Sequence, residues 1–190
     1  MREEHRQLFH MFFGFAIVLG ALALGRETSL MLLLGGVAAG LLAIQFVLRG
    51  YRGPAVGHVL KKLERPNVLP GKGALMFLVG ALFLLSYSRD YGFALGVLMI
   101  VAAGDAFSTF VGIRGTHALP WNGNKTWEGA IAFALSATVA AFPFLSGIPF
   151  LNLFPVIVYP LAAAAIETLP LPLDDNLTIP IGALALSALI

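Results

Sequence analysis

Residues Tyr91 to Gly112 read YGFALGVLMIVAAGDAFSTFVG, an apolar run in which Asp105 is the sole charged residue. As a helix rising ~1.5 Å per residue, the run is long enough to cross the ~30 Å hydrocarbon core of a bilayer. Working outward, further apolar blocks fall at about 8–24, 29–48, 73–88, 127–145, 149–168 and 177–190, separated by short polar clusters. Hydrophobic residues make up 58% of the chain and charged ones 12%, with a mean hydropathy of +0.87, far from the roughly 25% charged expected of a soluble domain. The expected fold is all-α: a polytopic membrane bundle of about seven transmembrane helices. The last block would rise only ~21 Å, thin for a span.

The opening MREEHRQLFHMFFGF sets charge before an apolar run, as a secretory signal does. It lacks a convincing small-x-small cleavage site, so a retained first helix is expected. Neither an internal repeat nor a low-complexity linker divides the chain, and 1–190 reads as a single membrane-embedded domain. The longest polar connection, from Gly50 to Gly73, contains VGHVLKKLERP, with one apolar and one basic edge. It reads equally as a short interfacial helix or as a solvated loop.

Ten of the twelve Lys and Arg residues precede the first helix or lie between helices two and three or four and five, leaving Arg26 and Arg89 on the other side. The positive-inside rule therefore places the N-terminus and the even-numbered loops in the cytoplasm. Carboxylates sort the same way, with only Glu27 and Asp90 outside. That rule is nearly blind to Asp and Glu, so a polar site facing the cytoplasm is the natural second cause.

Three clusters could form that site. Asp105 is costly at membrane depth and implies a cavity or a buried hydrogen-bonded carboxyl. Ser108, Thr109 and Gly112, three, four and seven residues on, share its face. The second cluster is IRGTHALPWNGNKTWEGA. Its GNKT departs from a nucleotide-binding P-loop because Asn124 stands where glycine must precede the lysine, and no strand is expected upstream. It nevertheless offers a helix N-terminus and Lys125 to phosphate. Asn124 or Thr126 could cap the helix, and Glu128 could complete the cap or reach a metal. The third, ETLPLPLDDNLTIP, gathers Glu167, Asp174, Asp175 and Asn176, oxygen ligands suited to Mg²⁺ in what could also be an ordinary turn. His10 could belong to a site or pack at the interface, whereas His5, His58 and His117 read as loop histidines. With no cysteine in the chain, disulfides and thiol chemistry are excluded.

GDAFSTFVGIRG followed by NKTWEGA resembles the paired signature of the CTP-dependent lipid kinases, the group of dolichol kinase, phytol kinase and a CTP-dependent diacylglycerol kinase. Gly104, Asp105, Gly112, Arg114, Gly115, Lys125, Thr126, Glu128 and Gly129 fall in register with it. RQLFH is similar to the group's opening element, with Gln7 where Lys is common, and LERPNVLPGKGALMFLVG and ETLPLPLDDNLTIP are similar to two further elements. The resemblance implies Mg²⁺-dependent transfer of the CTP γ-phosphoryl group to a membrane lipid alcohol: dolichol or polyprenol, phytol, geranylgeraniol or diacylglycerol. It implies Asp105 and Asp175 at the metal or activating the acceptor hydroxyl. Lys125 and Arg114 would then meet the triphosphate, Glu128 and Asn176 the metal or ribose, and Thr126, Gly104 and Gly112 the nucleotide. Phosphatidate cytidylyltransferases share a related K-T-x-E-G region, so cytidylyl transfer to a lipid phosphate is the near alternative, and a small transporter a remote one. The expected partners are CTP, the lipid alcohol and membrane lipids, without nucleic acid, and no oligomeric state is implied.

Overall fold

The computed structural model describes residues 3–49, 71–147 and 153–189. Among them seven helices occur in chain order: α1 Glu3–Leu24, α2 Arg26–Leu48, α3 Lys72–Tyr87, α4 Tyr91–Gly112, α5 Trp127–Leu145, α6 Leu153–Thr168 and α7 Asp175–Ser187. The bundle is the all-helical membrane fold that the apolar blocks imply. Four helices (α1 from Arg6, α2, α4 and α5) are long and apolar enough to span. The helices α3 and α6 are shorter at 16 residues each, and α7 has 13. The amphipathic segment VGHVLKKLERP and most of the connection around it lie outside the described residues.

The helix α4 is the axis of the bundle, packed by α1, α3, α5, α6 and α7. Two-thirds of its spanning window (67%) is buried, against 11% for α2, so one is core and the other faces outward. Leu95, Leu98, Ile100 and Val101 of α4 meet Leu84 and Leu85 of α3, Phe133 of α5 and Ile179 of α7. Met31, Leu32, Leu34 and Leu42 of α2 are exposed, a stable arrangement where the surrounding solvent is hydrocarbon. Between α1 and α2 the chain turns on Gly25, whose φ of 77° is open to glycine at no steric cost.

Close helix contacts set the positions of the polar residues. A Cβ at Gly104 would lie 2.5 Å from the Phe133 ring, and one at Gly129 would lie 2.9 Å from the Ser108 carbonyl oxygen. Such small residues let helix backbones approach within a membrane, and here they press the start of α5 against the Asp105 end of α4. Likewise a Cβ at Gly80 would sit 2.1 Å from the Asn176 carbonyl oxygen, so the start of α7 rests directly on α3.

One element departs from the all-helical expectation. Residues Ala118–Leu119 (β1) and Asn122–Thr126 (β2) form an antiparallel hairpin, and β2 runs straight into α5. A strand therefore does precede the helix, although Asn124 still breaks the P-loop pattern. Its segment NGNKT is polar throughout, so no apolar alternation announces it.

Candidate active site

Asp105, Ser108 and Thr109 project from α4 into a cavity of about 660 Å³ at one end of the bundle. Lys125 and Thr126 enter it from the hairpin, Glu167 from the end of α6, Asp174, Asp175 and Asn176 from the start of α7, and Arg6, Gln7 and His10 from α1. Helix ends converge here, so residues far apart in sequence face one space.

The centre of this group is Lys125. Its ammonium donates to Glu167 Oε1 and lies 3.5 Å from Asp175 Oδ2. Burial alone would pull the lysine pKa down; the carboxylates of Glu167, Asp175 and Asp105 outweigh it and hold the pKa above the ordinary lysine value. Glu167 is only 2% exposed and takes a second hydrogen bond from Ser108 Oγ at 3.2 Å, as a buried carboxylate must. At the rim, Lys72 Nζ lies 3.8 Å from Asp174 Oδ2.

Gln7 ties α1 to Asp105. With the amide nitrogen toward the carboxylate, it donates to Asp105 Oδ2 at 3.1 Å, while its oxygen accepts from Thr109 Oγ1 at 3.0 Å and from Arg6 Nη2 at 3.1 Å. The opposite orientation would set the amide oxygen against a carboxylate oxygen, two acceptors face to face. From the sequence Gln7 is only a departure from Lys, and Glu167 is one of the oxygen ligands suited to Mg²⁺; the structure instead pairs Glu167 with Lys125 and Ser108. A carboxylate at the end of an apolar helix calls for a buried partner, and that signal could have pointed to the pairing of Glu167 with Lys125.

Of the residues singled out by the sequence, Asp105, Lys125, Thr126, Asp175, Asn176 and Gly112 line this cavity. Thr126 is the N-cap of α5, accepting from Gly129 N at 3.2 Å, and Asn176 Nδ2 donates to Asp174 Oδ1 at 2.8 Å. Gly104 lies beneath Phe133. Glu128 and Arg114 point elsewhere. Glu128 Oε1 receives the Thr116 amide at 3.1 Å and meets His117 Nδ1 at 2.7 Å, closing the turn ahead of the hairpin. Arg114 donates to the Phe110 carbonyl at 2.7 Å and to Glu4. Both line a separate groove of about 630 Å³ with Leu8, Phe107 and Phe110.

Asp105 and Asp175 share the cavity with an ammonium group. No cluster of three His, Asp or Glu among the described residues could hold a metal ion. The donor set fits Mg²⁺ of the kind held by one or two carboxylates together with substrate phosphates.

An uncharacterized protein of Methanocaldococcus jannaschii is 31% identical over 182 residues, 95% of this chain and 90% of its own length. Probable phytol kinase 2 of Oryza sativa subsp. japonica is 29% identical across all of this chain and 66% of its own length. Farnesol kinase of Arabidopsis thaliana is 33% identical over 49% of this chain and 34% of its own. The chain is thus similar to phytol and farnesol kinases, which act as kinases on an alcohol. It spans between about a third and two thirds of the lengths of these two plant kinases. Neither a family profile nor a solved structure matches it.

Proposed function

We propose that this chain is a lipid-alcohol kinase that moves the γ-phosphoryl group of CTP onto the hydroxyl of a membrane-held alcohol of the phytol, farnesol or polyprenol type. The observation that carries the reading is Lys125, held charged among Glu167, Asp175 and Asp105 in a cavity at the end of an apolar bundle. Phosphoryl transfer asks for alignment and charge neutralisation more than for covalent chemistry. The acceptor oxygen attacks the γ-phosphorus, the bond to the bridging oxygen breaks, CDP leaves, and the hydroxyl proton passes to a carboxylate. Asp105, oriented by Gln7, is placed for that proton. Lys125 moves from Glu167 to the phosphates.

Four carboxylates (Asp105, Glu167, Asp174, Asp175) face this cavity and its rim, against the cations Arg6, Lys72 and Lys125. A bare triphosphate would meet net repulsion, so the nucleotide is expected to enter with Mg²⁺, which Asp105 and Asp175 would hold and which would neutralise phosphate charge. Between the two ends, α4 from Ala94 to Ala103 is buried and apolar apart from the partly buried Met99, which favours transfer at one face over transport through the bundle. The distribution of Lys and Arg supports a cytoplasmic site, where a soluble nucleotide is available, within one membrane domain.

Purified protein given CTP labelled on the γ-phosphate, Mg²⁺ and a long-chain isoprenoid alcohol should move label into lipid. Labelled pyrophosphate would indicate cytidylyl transfer instead. Equal Mg²⁺ with CTP, UTP, ATP and GTP tests the donor; faster transfer from ATP would overturn the CTP assignment and leave the phosphoryl-transfer site standing.

A further inference from the structure

The cavity around Lys125 has one apolar edge. Leu169-Pro170-Leu171-Pro172-Leu173 links α6 to α7, with all five residues exposed, and Leu169, Leu171 and Leu173 line the cavity. The strap is ordered by its own backbone and by the hairpin. Leu171 N donates to the Leu169 carbonyl at 2.9 Å, the two prolines fix φ, and Asn122 Nδ2 holds the Thr168 carbonyl at 3.0 Å.

A connection exposed only to water would gain nothing from three leucines, each of which forgoes its transfer free energy. These leucines also continue a track. Phe154, Ile157, Leu161 and Ala165 are exposed on α6, and their spacing of three and then four residues leads on to Leu169 along one helix face. An apolar path thus runs up the outside of α6, over the strap, and ends at the cavity that holds Asp105 and Lys125.

We infer that the hydrocarbon chain of the acceptor alcohol lies along this α6 track and crosses the Leu-Pro-Leu-Pro-Leu strap, which delivers its hydroxyl to the cavity and selects for a long apolar tail. The inference rests on the proposed transfer reaction for the identity of the ligand. It divides the cavity: the strap receives the lipid, and the α1 and hairpin side, with Arg6, His10 and Asn124, is left to the nucleotide.

A photoactivatable isoprenoid alcohol carrying a diazirine near its hydroxyl, irradiated with the full chain in lipid nanodiscs, should label residues 169–173 and the exposed face of α6. That label should fall on adding unlabelled geranylgeraniol and persist on adding phospholipid. Labelling displaced only from other helices, or displaced equally by phospholipid, would overturn the strap assignment. As a second reading, Leu171→Ser combined with Leu173→Ser should raise KM for the long-chain alcohol by roughly ten-fold and leave KM for the nucleotide unchanged; an unchanged lipid KM would count against it. Strap labelling by a protein that transfers no phosphoryl group would defeat the kinase reading alone, and transfer with labelling elsewhere would defeat the strap alone.

Discussion

At the end of the bundle where α1 turns into α2, Arg26 donates to the Leu85 carbonyl at 2.7 Å and to that of Ser88. There Asp90 caps α4 through the Phe93 amide at 3.2 Å, Ser88 Oγ donates to the Asp90 carbonyl at 2.6 Å, and the Tyr91 hydroxyl reaches the Ala21 carbonyl. At the opposite end Lys125 meets Glu167 and Asp175 rather than backbone, and Asp105 faces the same space. Helix termini leave amides and carbonyls without partners, and folding demands that they be satisfied. The contacts at the Arg26 end do that. The Lys125 end holds charges against one another around a cavity, which folding does not require and which costs desolvation.

The sharpest way to break this comparison is Asp105→Asn. It keeps the shape of the side chain and removes the carboxylate proposed to take the acceptor proton. Transfer should fall by at least ~100-fold, measured as label reaching lipid. Thermal unfolding should be unchanged or occur at higher temperature, because Asp105 shares its cavity with the like charges of Glu167 and Asp175. An active variant would return Asp105 to the role of a packing carboxyl.

Glu167→Gln sharpens it further. The amide keeps the size and can still accept from Ser108, but Lys125 loses its buried counter-charge and retains Asp175 at 3.5 Å. Removing one partner of a buried pair is more damaging than replacing both; with Lys125 part-exposed and still near Asp175, the single variant should lose about 2 kcal/mol in denaturant unfolding, the size of a hydrogen bond to a charged group. Adding Lys125→Met should recover most of that stability and abolish transfer, since it removes the ammonium proposed to meet the phosphates. Recovery of activity along with stability would mean that the pair serves the fold alone.

These residues were legible to different degrees for physical reasons. The spans could be read because apolar blocks long enough for a bilayer are rare in any other setting. Asp105, Lys125 and Asp175 stood out because charges are few in such a chain. Gly104 illustrates the limit: a missing Cβ serves close approach of a ligand or of a ring equally, and only the fold shows Phe133 above it. Glu128 and Lys125 are near neighbours in sequence, yet β2 gives way to α5 between them, and their side chains leave on different sides. Gln7 was hidden for the opposite reason, since one amide in the polar first turns of α1 carries no signal until Asp105 is set beside it.

The smallest effect tests the other side of the comparison. Arg26 satisfies carbonyls at the C-terminal end of α3, where a cation also complements the helix dipole. Arg26→Met keeps much of the apolar stem and removes the donors, and hydrogen bonds to a charged group contribute about 1.5–3 kcal/mol. The carbonyls left behind remain partly reachable by water, so a loss near the lower figure is expected, read as a lower midpoint in thermal unfolding. Transfer and both KM values should stay at the wild-type level, because the buried apolar length of α4 separates this end from Asp105. A variant that unfolds at the wild-type temperature but transfers more slowly would show that the two ends are coupled, and the division of labour between them would have to be abandoned.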